Sequence, residues 1–287
     1  MWKILLVVLL GMNSAYAETP VTSSLPPLHL ALSAVMLGEQ QDVVARWQKY
    51  LEVHLQRPVV FVQRRSYRQT IDGLADGKLD AGWICSVPHL RYPRAQRLLA
   101  VGVWQGQPLY RSYLIVPNSD VTTQSLADLR GKNFAYSDPE SNSGHVFTES
   151  EILALGEEPK TFFNKTLFTY SHKKSIAAVA DGLVQGASVD GYVYAQMARF
   201  YPAVIARTRV VSQSPSFGFP PFVSGAHLPA QDAQKLREVL LGMDGEPEGR
   251  ALLGYMGLDK FIAGDEKLFD EVAAVMKKVE SHAKNIQ

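Results

Sequence analysis

Apolar residues at Val43, Val44, Trp47, Leu51 and Leu55 recur at helical spacing and predict an amphipathic helix over Gln40–Leu55, which Pro58 stops. Runs with strand composition fall at His29–Ser33, Val59–Gln63, Leu98–Trp104, Tyr113–Val116, Asn133–Tyr136, Thr166–Tyr170 and Val204–Val211. Helical patterns fall at Tyr67–Leu74, Leu126–Gly131, Val146–Leu155, Ser175–Leu183, Ala230–Met243, Glu246–Gly254 and Glu266–Val279. Strands alternating with helices predict an α/β protein with open, mostly parallel sheets covered on both faces. Ligands of such sheets sit beyond the carboxyl ends of strands, against helix N-termini.

One stretch of pattern occurs twice. Asp72-Gly73-Leu74-Ala75-Asp76-Gly77 leads to Asp80, Gly82 and Trp83, and Asp181-Gly182-Leu183-Val184-Gln185-Gly186 leads to Asp190, Gly191 and Tyr192. A helical pattern precedes each copy, and a short buried strand is expected after it. Gly77 and Gly186 suit the position just past a helix C-terminus, where glycine enters the left-handed region freely. The duplication predicts two lobes of related build. The Pro-rich segment Ser214–Phe222 is read as a cleft-lining loop, since proline is excluded from central strands and helix interiors. Crossovers near Val116–Ser119 and Val223–Ala226 would give two hinge connections. The expected division is 18–116 plus 225–287 for lobe 1 and 117–224 for lobe 2.

The candidate chemistry lies in Asp138-Pro139-Glu140-Ser141-Asn142-Ser143-Gly144-His145, between a strand pattern and a helix pattern. A hydroxyl-rich turn on the first turn of a helix offers unpaired N–H groups, two serine hydroxyls and the positive end of the helix dipole. That combination binds an anion without lysine or arginine. The plainer reading is that Ser141 or Ser143 only caps the helix, worth about 1 kcal/mol.

Composition narrows the classes. Lys3, the apolar run Ile4–Leu10 and Ala15-Tyr16-Ala17 predict an export signal over residues 1–17, cleaved after Ala17. The remaining length suits one large domain or two ordinary ones. With 29 basic and 28 acidic residues and no basic run, the chain lacks the stripe that nucleic acid requires. The single cysteine, Cys85, rules out an internal disulfide, and no zinc-type Cys/His spacing occurs. No cofactor or metal is expected.

Four segments resemble the periplasmic substrate-binding proteins of phosphonate, phosphite and phosphate ABC transporters, the PhnD-like type II binding proteins. They are Tyr67–Pro88 with its D-G-L-x-x-G-x-x-D, Leu126–Lys132 leading into D-P-x-S-x-S-G at Asp138–Gly144, Ser171-His172 before a helix, and Glu248–Phe261. The resemblance spans nearly the whole mature chain. It implies a bilobal type II periplasmic-binding-protein fold, with two mixed sheets flanked by helices and a tetrahedral oxyanion in the cleft. It would place that anion on Ser141, Asn142, Ser143, Gly144 and His172 of lobe 2 and on Tyr67 of lobe 1, with the loop Ile84–His89, including Cys85 and Ser86, facing it. The family often carries a tyrosine near position 89; His89 implies altered ligand chemistry. It further implies a non-enzymatic, monomeric periplasmic protein that delivers phosphonate, phosphite or phosphate to an ABC permease. Relatives that sense oxyanions such as arsenite for a histidine kinase supply the alternative. Relatives of aminoalkyl phosphonates use carboxylates for the amine, and the Phe217–Phe222 loop has none, so a ligand without a cationic tail is expected.

Individual side chains keep two readings. Cys85 is either a buried small hydrophobe or a soft ligand for a thiophilic oxyanion. A nucleophilic Cys–His pair lacks an orienting third group. Asp190 and its echo Asp80 read first as helix–strand junction residues, because an anion repels a free carboxylate unless a proton is shared between them. Asp190 is retained among the candidate ligand residues on that condition.

Overall fold

The computed structural model describes residues 25–32 and 41–285, so the expected export signal and its cleavage site lie outside the described residues. The strands are β1 (Leu28–Leu32), β2 (Val59–Gln63), β3 (Ala81–Trp83), β4 (Gln96–Val103), β5 (Leu109–Tyr110), β6 (Ser112–Pro117), β7 (Asn133–Tyr136), β8 (Lys165–Phe168), β9 (Gly186–Asp190), β10 (Thr208–Gln213), β11 (Phe217–Gly218), β12 (Pro221–Gly225) and β13 (Lys260–Ile262). The α-helices are α1 (Gln41–Leu55), α2 (Tyr67–Ala75), α3 (Ser86–Arg91), α4 (Phe147–Ala154), α5 (Pro159–Phe162), α6 (His172–Ala180), α7 (Gly191–Phe200), α8 (Pro202–Ile205), α9 (Ala230–Leu241), α10 (Pro247–Met256) and α11 (Asp270–Asn285).

Two mixed sheets define two lobes. Lobe 1 has the order β13-β4-β12-β3-β1-β2 and lobe 2 the order β10-β6-β9-β7-β8, while β5 and β11 form a two-stranded ladder. In lobe 1, β1 runs parallel to β2 and β3, and β12 lies antiparallel between β3 and β4. In lobe 2, β7 runs parallel to β8 and β9, and β6 lies antiparallel to β9 and β10. Helix α1 covers lobe 1 with the stripe its spacing predicts. Trp47 and Leu51 are fully buried, and Trp47 stacks at 5.0 Å on Phe61 of β2 and 6.1 Å from Phe222 of β12. Each such side chain contributes about 1.5–3 kcal/mol by leaving water. Lobe 2 has its own aromatic cluster, in which Phe134 and Phe163 stack at 4.2 Å.

Several sequence expectations shift. Strand β6 belongs to lobe 2 and β12 to lobe 1, so both crossings fall earlier than expected, in the segments that carry β5 and β11. The pairs Phe217–Tyr110 and Gly218–Leu109 tie those two segments together into a double-stranded hinge. The Pro-rich segment is not all loop. Pro221 opens β12, a central strand, and as its first residue it interrupts the ladder least. The expected strand at Val204–Val211 is helix α8 followed by β10, with Pro202 at the helix start.

The duplicated unit is real but slips by one turn. Helix α2 ends before Gly77 at φ 71°, whereas α6 ends before Gly182 at φ 71°. Gly186, expected just past the helix, instead begins β9, where a Cβ would crowd Phe134 at 3.2 Å.

Candidate functional site

The turn singled out in the sequence sits where the lobes meet. Ser141 caps a π-helical turn, Asn142–Val146, that runs directly into α4. Such π-turns occur often at functional sites. The Ser141 hydroxyl accepts the Gly144 N–H at 3.0 Å, so this serine is a helix cap as the plainer reading held. Ser112 of β6 fastens the turn from below by donating to the Ser143 carbonyl at 2.7 Å. A Cβ on Gly144 would overlap the Ser137 hydroxyl and lie 3.0 Å from His172 Cε1, so glycine is what lets the turn approach both.

Lobe 1 meets this turn at two points. The Tyr67 N–H, on the first turn of α2, donates to Asp138 Oδ2 at 3.1 Å. The Asn142 N–H donates to Cys85 Sγ at 3.2 Å, and the Asn142 amide nitrogen donates to the Tyr110 hydroxyl at 3.1 Å. Tyr67, Cys85, Tyr110, Asn142, Ser143 and Asp190 are all buried. Trp83, Tyr192 and Phe219 pack beside them, with Tyr192 and Phe219 5.1 Å apart. Helices α2, α3, α6 and α7 and the turn at Asn142 all begin among these residues.

The polar groups are incompletely satisfied by the protein. The Tyr67 hydroxyl, Ser137 Oγ, Asn142 Oδ1 and Ser143 Oγ are buried with no hydrogen-bond partner. Leaving such a group unpaired costs about 1–3 kcal/mol. His172 opens α6 and is buried; its Nδ1 accepts the Asp190 N–H at 3.0 Å. Burial lowers its pKa to about 3, so the ring is neutral with its proton on Nε2. Burial pushes the Cys85 thiol up to about 11, against the Asn142 N–H that pulls it down. It therefore stays protonated, which removes the thiolate a soft ligand or nucleophile needs.

Two expected residues are committed elsewhere. The segment Ile84–His89 is not a loop, because Ser86–Arg91 forms α3. His89 is held by Gln96 at 3.1 Å and Glu266 at 2.9 Å, with its ring against Phe269 at 4.8 Å. Both ring nitrogens are used within the protein, so neither is left for a ligand. Ser86 donates to the Gly218 carbonyl at 3.3 Å and ties α3 to the hinge. Conversely, Tyr110, Ser112 and Ser137 join the site without a local motif. Among the described residues no group of histidine, cysteine and carboxylate side chains is arranged to hold a metal ion.

A profile of periplasmic substrate-binding proteins of phosphonate ABC transporters matches residues 35–269. The chain belongs to that family. As a substrate-binding transporter component, this phosphonate-family protein takes up a small ligand and works with a permease. Its fold is shared with a binding-protein component of a phosphonate ABC transporter from Pseudomonas aeruginosa, at a TM-score of 0.79 and 21% identity, covering 87% of this chain and 85% of that one. It is also shared with PhnD1 of Prochlorococcus marinus, solved with methylphosphonate, at a TM-score of 0.76 and 19% identity over 88% and 98% of the two chains. A histidine kinase sensor domain similar to periplasmic binding proteins follows at a TM-score of 0.58 and 14% identity, covering 82% and 97%. These likenesses establish the type II periplasmic-binding-protein fold.

Proposed function

We propose that this binding protein captures a small phosphorus oxyanion, such as methylphosphonate, phosphite or phosphate, without chemical change and hands it to its permease. The observation that carries the reading is the group of unpartnered buried atoms, Tyr67 OH, Ser137 Oγ, Asn142 Oδ1 and Ser143 Oγ, at the lobe junction. The Tyr67, Ser137 and Ser143 hydroxyls and the His172 Nε2–H supply neutral donors, Asn142 Oδ1 accepts only from a protonated ligand oxygen, and the Ser141 helix start adds positive potential. None of these residues is itself a lysine or arginine, which suits release to a partner as well as capture. Tyr67, Ser143, Asn142 and His172 are the ligand contacts in this reading; Ser141 and Gly144 shape the turn, and Cys85 links the lobes.

Calorimetry on protein freed of bound anion by unfolding, dialysis and refolding tests it. Methylphosphonate, phosphite or phosphate binds at micromolar concentration or tighter, and Ser143→Ala weakens that binding at least about tenfold, the loss of one hydrogen bond to a charged group. Silence toward all three, or a Ser143→Ala variant that binds normally, overturns the reading. A sensory role built on arsenite needs a Cys85 thiolate, and the raised thiol pKa counts against it.

A further inference from the structure

The hinge has a second face. Tyr110 and Ser112 turn toward the anion site, where they meet the Asn142 amide and the Ser143 carbonyl. Side chains alternate along extended backbone, so Arg111 and Tyr113 turn the other way. On that side lies a cavity of about 280 Å³. Trp104, Gln105 and Gln107 line it from the lobe 1 side, and Arg111, Tyr113 and Gln213 from the lobe 2 side. Three local features converge on it. Gln105 holds φ 53°, in the left-handed region, within a two-residue turn closed by the Trp104–Gln107 pair. Such turns favour Asn-Gly or Asp-Gly, so a glutamine here departs from the turn's own preference. Gly106 completes the turn at φ 78°, and its N–H donates to Asp259 Oδ2 at 2.7 Å. Strand β10 carries a bulge between Val210 and Ser212, after which Gln213 stands directly opposite Tyr113. Arg111 donates through Nη1 to the Ser214 carbonyl at 2.7 Å, and among the described residues no carboxylate pairs with it.

A guanidinium anchored at one nitrogen keeps its remaining N–H edge for a carboxylate, which that fork matches in geometry. The lining holds no acidic side chain to oppose an anion. The rings of Trp104 and Tyr113 suit a flat apolar body, and the three glutamine amides offer donors and acceptors for a polar substituent. We propose that the rear of the hinge is a second binding site, for a small aromatic carboxylate held by Arg111 against the rings of Trp104 and Tyr113, and that its occupant favours closure. Rotation that brings the lobes together over the anion spreads the opposite side of the hinge. The cavity is open in the form where the Tyr67 N–H reaches Asp138 across the cleft, so a ligand that fills it binds this form better than a splayed one. The two sites are then positively coupled, and the coupling is reciprocal. The rear site stands on its own lining, and the coupling alone rests on the oxyanion reading above.

Calorimetry with benzoate and 4-hydroxybenzoate tests this, alone and at saturating methylphosphonate, with benzamide as the uncharged isostere. One of the two carboxylates binds the wild type at millimolar concentration or tighter, and benzamide binds at least about tenfold more weakly. Arg111→Gln and Arg111→Lys each weaken the carboxylate at least about fivefold, the lysine because a point charge replaces the fork. Saturating methylphosphonate tightens the carboxylate about fivefold, and the carboxylate tightens methylphosphonate by the same factor. Ser143→Ala leaves the carboxylate affinity measured alone unchanged. No heat from either carboxylate, equal binding of benzamide, or unaltered binding in both Arg111 variants overturns the site. So does competition between benzoate and methylphosphonate, which places both in the cleft. Binding of each that ignores the other overturns the coupling. If methylphosphonate fails to bind while benzoate binds through Arg111, the oxyanion reading falls and the rear site stands.

Discussion

The backbone N–H of Asp190 points at Nδ1 of His172, 3.0 Å away. An accepting Nδ1 carries no proton, so the ring offers a single, fixed donor at Nε2. Nitrogen NMR of His172 therefore reports the Nε2–H tautomer, unchanged from pH 8 down to about pH 4. Appearance of a doubly protonated ring near pH 6 refutes the assignment.

The same pair sets opposing pH dependences of stability. His172 is lowered from 6.5 to about 3 by burial, so its contribution is complete above 6.5 and is lost as pH falls toward 3. Asp190 is raised from 3.8 to about 7 by burial, so its contribution is complete below 3.8 and is lost as pH rises through 7. Between these limits each proton carries a limiting slope of about 1.4 kcal/mol per pH unit, with opposite sign. Urea unfolding from pH 4 to 7, read as the difference from wild type, separates them. His172→Gln gains relative stability toward acid, and Asp190→Asn gains it toward neutrality.

Binding and stability come apart at Ser143. Its hydroxyl is buried without a partner, so the folded protein loses no hydrogen bond when it is removed. Ser143→Ala leaves unfolding free energy within about 0.5 kcal/mol of wild type or raises it, while weakening the ligand. A large loss of stability in urea unfolding contradicts this.

Gly144→Ala acts by overpacking. The added methyl overlaps the Ser137 hydroxyl and comes within 2.7 Å of its Cβ, and costs about 1–3 kcal/mol of unfolding free energy. Ser137→Gly combined with Gly144→Ala removes both atoms and recovers part of that loss. If the double variant is no better than the single, the clash is not the cause.

Closure has a handle outside the cavity. The Tyr92 hydroxyl of lobe 1 donates to Glu140 of lobe 2 at 2.6 Å, and Arg91 lies 3.7 Å from the same carboxylate. Tyr92→Phe removes a hydrogen bond to a charged group that joins the two lobes. Small-angle scattering then shows a larger radius of gyration, and ligand affinity falls about tenfold with its order among ligands unchanged. An altered ligand preference places Tyr92 in the site instead.

Features set by neighbours in sequence are the ones the sequence reveals. The stripe on α1, the Ser141 cap and the two lobes all arise from contacts a few residues apart or from a repeated unit. Tyr110, Ser112 and Ser137 stay hidden because distant partners make their roles; Ser112 reaches the Ser143 carbonyl across 31 positions. His89 misleads for the opposite reason. Helix α3 has only six residues, too few for a helical period to register, so the histidine reads as part of a cleft loop. Pro221 misleads because proline excludes a strand interior but not its first residue.

The placement of β12 orders the birth of the molecule. Every strand of the lobe 2 sheet lies between Ser112 and Gln213, while the lobe 1 sheet keeps a central gap between β3 and β4 until residues 221–225 arrive. A chain emerging from its N-terminus thus completes the later-numbered lobe first, leaving the earlier one with two raw edges awaiting a distant partner. Nascent chains released just after Gln213 should carry one protease-resistant half and one digestible half, and extending the chain through β12, α9, α10 and β13 should protect both.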